Sequence, residues 1–155
     1  MTTDLEERLR LLAEHLGWWR VAQFSYALGP VIASVGAIVV GVAIGGAAGV
    51  LWIAAGAALL VGSLFWSWSC WLRGLDPVGW ASGEQPGWPF RAYVLLTLGG
   101  VAALGIGVWA ADLPGWLGWL VVVADAGYLA VFLATGDIPP FVFYVLLLVV
   151  GAVTR

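Results

Sequence analysis

From Trp116 to Thr135 the chain reads WLGWLVVVADAGYLAVFLAT, apolar over the length that crosses a bilayer core and interrupted by one ionisable residue, Asp125, near its middle. A run of this kind leaves few outcomes. In hydrocarbon every backbone N–H and C=O must be paired within the protein, so only helices and closed barrels span a membrane. Barrel strands are short and alternating, whereas this run is continuous and rich in Leu, Val, Ala and Gly.

Four more runs share the pattern, at about 21–44, 49–72, 91–111 and 139–154. Hydrophobic residues make up 63% of the chain and charged residues 10%, a balance that a water-soluble fold of 155 residues could not bury. The expected fold is an all-α integral membrane protein: a bundle of four or five transmembrane helices preceded by an N-terminal amphipathic interfacial helix. Two units follow, a surface helix over 1–19 and a single transmembrane domain over 20–155.

The surface helix starts at a capping box, Thr3-Asp4-Leu5-Glu6, and repeats Leu5, Leu9, Leu12 and Leu16 on one face before the interfacial pair Trp18-Trp19. In the first span Pro30 removes a backbone hydrogen bond. Gly29, Ala33, Ala37, Gly41, Gly45 and Gly49 form a stripe that lets another helix approach closely, with Gly45-Gly46 as a tight turn. Shorter stripes occur at Ala54, Ala58, Gly62 and at Gly99, Ala103, Gly107, Ala111. The segment 74–89 is the longest connector, and its Trp80 and Trp88 predict that it folds back onto the headgroup region.

Orientation follows from the arginines. With five spans, Arg8, Arg10, Arg20, Arg73 and Arg91 share one side and only Arg155 the other, which predicts a cytoplasmic N-terminus in a prokaryotic inner (plasma) membrane. All eleven tryptophans then fall near one boundary or the other.

Composition also closes off several chemistries. Without Lys there is no Schiff base, and with Cys70 alone there is no CxxC redox pair. The single His15 lies outside the spans, so no histidine pair ligates haem and no serine–histidine nucleophile forms there. No P-loop, HExxH or carboxylate cluster is present; the expectation is no cofactor, no metal, no catalytic residue and no nucleic-acid partner.

What remains is one candidate intramembrane polar site, Asp125 with Tyr128 on the same helical face. The first functional expectation is a non-catalytic small polytopic protein, a packing or accessory subunit of a larger membrane complex or a homo-oligomer, with the lipid bilayer and other membrane subunits or itself as partners. The alternative is a small proton- or cation-coupled transporter or channel using Asp125. A third is an enzyme acting on lipid or quinone at the boundary that carries the arginines.

Overall fold

The computed structural model describes residues 2–138 and 149–153; among these every regular element is a helix. They are α1 (Thr2–Glu14), α2 (Leu16–Ile44), α3 (Gly46–Leu75), α4 (Pro77–Ala81), α5 (Trp88–Ala110) and α6 (Gly115–Thr135). Four of them, α2, α3, α5 and α6, are long and apolar enough to cross a membrane. Residues 149–153 are helical, with Val150 buried in the same core; the rest of the predicted fifth span, 139–154, lies outside the described residues.

The long helices stand in a file, α2 on α3, α3 on α5 and α5 on α6, each antiparallel to the one before. The inner pair, α3 and α5, carries most of the core: Ala55, Leu59, Cys70, Val94, Val101, Leu104 and Val108 are all buried. α6 is the least enclosed and α2 the next.

Several boundaries differ from the sequence expectation, each for a local reason. α2 begins at Leu16, so Trp18, Trp19 and Arg20 lie in its first turns and do not close the surface helix. They are drawn in because Trp19 Nε1 donates to the Arg73 carbonyl and Arg20 Nε to the Gly74 carbonyl, both at 3.1 Å. α3 starts at Gly46, three residues early, because the reversal is confined to Gly45 and Gly46. The φ of Gly45, +69°, and that of Gly46, +57°, lie in the left-handed region open to glycine. α5 starts at Trp88, with Pro89 in its first turn, where a missing N–H costs nothing.

α1 begins at Thr2, ahead of the expected cap, and touches α4 and the start of α2. Leu9, Leu12 and Leu16 are half-buried on this face, whereas Leu5 is exposed. Arg10 bridges Glu7 and Glu14 at 2.8 Å each, and the Glu7 hydrogen bond holds its guanidinium above the ordinary range. These pairs are open to solvent and therefore heavily screened.

The 74–89 connector packs against the ends of α2 and α3. Asp76 caps α4 by accepting the Gly79 N–H at 2.9 Å, and Gln85 Nε2 donates to the carbonyls of Leu72 and Asp76, closing the end of α3. Trp80 packs on Trp19 with ring centroids 4.6 Å apart, and Trp88 meets Phe65 and Trp68 edge-on.

Candidate functional site

Pro30 organises the polar half of the interior. Having no N–H, it leaves the carbonyl of Tyr26, four residues earlier, without its helical donor. α2 nevertheless continues through Pro30, because Trp66 on α3 donates its Nε1–H to that carbonyl at 2.9 Å. One residue on, Ser67 Oγ donates to Ala27 O, also at 2.9 Å. Trp66 is thus a core residue, 4% exposed, and Trp52, 2% exposed, is another. Both tryptophans therefore face neighbouring helices within the bundle.

Nearer the middle, Ser34 Oγ lies 2.6 Å from Pro30 O, Ser63 Oγ 2.7 Å from Leu59 O, and the two hydroxyls 3.1 Å from each other. Three contacts share two hydrogens, so at most two are made at once. Above the serines the helices close further. A Cβ on Gly41 would meet Trp52 Cβ at 2.8 Å and the Gly49 carbonyl at 2.9 Å, and a Cβ on Gly49 would strike the Gly41 carbonyl. This part of the predicted stripe is a true backbone contact.

The other two stripes hold at Gly62, which faces Leu96 and Thr97 on α5, and at Gly107, but not at their first members. Gly99 is exposed with open space around it, and Ala54 is exposed as well. The close approaches on α5 are made by Gly100 against Leu59, Gly105 against Val121 and Val122, and Gly107 against Trp52.

Asp125 lies elsewhere, on α6. The buried face of that helix runs through Leu117, Gly118, Val121 and Tyr128, with Ala124 and Phe132 packed at its margin. Asp125 is at the edge of this face, partly buried, and its Oδ1 has no hydrogen-bond partner. Tyr128 is buried one turn below, so the two candidate residues share a face as expected, yet the Tyr128 hydroxyl does not satisfy that oxygen. Gln23 Oε1, Trp52 Nε1 and Thr97 Oγ1 are also buried without partners. Thr97 is turned toward Gly62 on α3 and Trp52 toward Gly107, whereas Asp125 belongs to the helix beyond α5.

Among the clefts lined by described residues are two of about 470 and 530 Å³. The first is apolar and runs along Gly29, Ala33, Ala37, Val40, Trp52 and Val150; the second lies at the connector end between Arg8, Leu12, His15, Trp19 and Trp80. Neither is lined by Asp125 or Tyr128. No cluster of three His, Cys, Asp or Glu residues that could hold a metal occurs among the described residues. Cys70 is buried, as a small apolar residue at a helix contact would be. Comparison of the chain with protein-family models, with curated proteins and with solved structures returns no match.

Proposed function

We propose that this chain is a non-catalytic membrane subunit that packs laterally through α6, against a second copy or a larger membrane complex, with Asp125 hydrogen-bonding across that contact. One observation carries the reading. The only carboxylate in the middle of the four long helices sits at the edge of α6, the least enclosed of them; it is only partly buried, and the described residues offer it no hydrogen bond. A carboxyl group in hydrocarbon gains most from a partner when its alternative is none. The polar groups of the α2–α3 contact bond to one another and to backbone carbonyls, which leaves them little capacity to serve as relay partners for Asp125.

In the same reading the protein lies in the inner membrane of a prokaryote with its N-terminus in the cytoplasm, because five of its six arginines cluster toward the connector end. α1 rests on the membrane surface there.

Native mass spectrometry after gentle extraction from the source membrane tests the proposal. A fixed stoichiometry with other polypeptides or with itself, lost in Asp125→Leu and kept in Asp125→Asn, is the expected result. A lone monomer whose proton flux in vesicles disappears in Asp125→Asn would replace this reading with the carrier one.

A further inference from the structure

The connector end of the bundle holds a cation that the packing account leaves unanswered. Arg73, in the last turn of α3, is half-buried, with its guanidinium carbon 5.3 Å from the Trp66 ring centroid, 5.8 Å from Phe90 and 6.0 Å from Trp80. Aromatic faces attract a cation, but they give its five N–H donors no oxygen. Among the described residues Arg73 forms no ion pair and no side-chain hydrogen bond.

The acids nearby are engaged with backbone. Asp76 accepts from Gly79 N, and Asp137 accepts from Ile138 N at 2.8 Å; Asp137 is within electrostatic reach of Arg73 without pairing to it. A second cation is held at the same end of the bundle. Arg20 Nε donates to the carbonyl of Gly74, the next residue after Arg73, and its side chain is otherwise exposed. Arg73 has no oxygen partner among the described residues, Arg20 keeps its remaining donors exposed at the same end of the bundle, and the fork of each guanidinium suits a phosphate.

We propose that Arg73 and Arg20 bind the phosphate diester of an anionic phospholipid at the connector end of the bundle, with Trp80 covering the site from α4. The lipid is anionic because a choline headgroup would bring an ammonium against these two arginines. The shared chemistry is that of any phosphate, but a lipid adds acyl chains that lie along the apolar sides of α2 and α3. The site rests on the membrane reading and is independent of what packs against α6, so its test uses no variant of Asp125.

The test is lipid retention by the full chain, taken from nanodiscs of mixed phosphatidylglycerol and phosphatidylcholine into mild detergent and weighed by native mass spectrometry. The expected result is one phosphatidylglycerol kept in preference to phosphatidylcholine. Charge-assisted hydrogen bonds of this kind make the loss in Arg73→Gln about tenfold or more. Arg20→Gln gives a smaller loss, and Arg91→Gln, exposed at the same boundary, keeps the lipid. Equal retention of the two lipids by the unaltered chain overturns the proposal, even where Arg73→Gln fails to fold. So does an Arg73→Gln protein that keeps phosphatidylglycerol, or an unaltered chain that exchanges it for millimolar inorganic phosphate, which would mark a site for the free ion.

Discussion

The α2–α3 and α5–α6 contacts join neighbouring antiparallel helices of similar apolarity, yet they are held differently. α2 and α3 are tied by side chains that reach across to main-chain carbonyls: Trp19, Arg20, Trp66 and Ser67 each donate to one. At the far end Gly41 and Gly49 bring the backbones together. Between α5 and α6 shape does most of the holding. Gly105 takes Val121 and Val122, and Gly118 lies under the Trp109 ring, whose Nε1 bonds Gly115 O at 3.2 Å in the turn. Asp125 is the one carboxylate along that second contact, and it bonds nothing across it. In a solvent without a hydrophobic drive between helices, contacts of the first kind fix register and contacts of the second kind fix only proximity.

The strongest way to break the first contact is at its backbone approach. Gly49→Leu drives a side chain into the Gly41 carbonyl, which cannot move without shifting α2, and the cost should exceed ~3 kcal/mol. Reversible unfolding in mixed micelles measures it. Gly36→Ala, on α2 but facing open space, should be neutral or mildly stabilising. If the two variants behaved alike, the close contact would not be what holds these helices.

Next in size is the bond at the proline. Trp66→Phe keeps the ring and removes its N–H, stranding the Tyr26 carbonyl at a cost of ~1–3 kcal/mol. Pro30→Ala restores a backbone donor to that carbonyl, so in its background the same change should cost clearly less. A double-mutant cycle reads the coupling directly. Additive effects would mean that Trp66 contributes through packing alone.

How much of this was legible in the sequence depends on the residue. The long apolar runs, the Gly45-Gly46 turn and the close stripe next to it needed only hydropathy and spacing. The Trp66 bond was within reach as well. Pro30 names the orphaned carbonyl, and Tyr26 and Trp66 lie about twenty residues on either side of Gly45, so an antiparallel pair brings them level. The phase of α5 was legible only in part, because a helix apolar all round gives periodicity little to report; in the stripe through Gly99, Gly107 meets Trp52 while Gly99 faces open space, and Gly100 and Gly105 make the other contacts. Asp125 stood out as the lone acid, but what faces it depends on packing that spacing does not encode.

The second contact is probed by changing the polarity of Asp125 alone. Asp125→Leu removes an unpaired carboxyl group, so the isolated bundle should gain ~1 kcal/mol or stay unchanged, while any lateral partner is lost on purification. Destabilisation of the isolated chain would show that Asp125 serves its own fold.

The smallest effect belongs to the serine pair, and its size follows from counting hydrogens. Ser34→Ala takes one hydroxyl away, yet Ser63 still donates to Leu59 O, and the Pro30 carbonyl loses a donor it holds in only part of the population. Hydrogen bonds between membrane helices average ~0.6 kcal/mol in such cycles, and this one should fall at or below that value. Ser63→Ala should match it by symmetry, and the double variant should cost less than the sum of the two, because the contact between the hydroxyls can be lost only once. A larger, strictly additive loss would mean that both hydroxyls are committed to their carbonyls, and that the first contact draws its register from Trp66, Ser67 and the glycines without help from the serines.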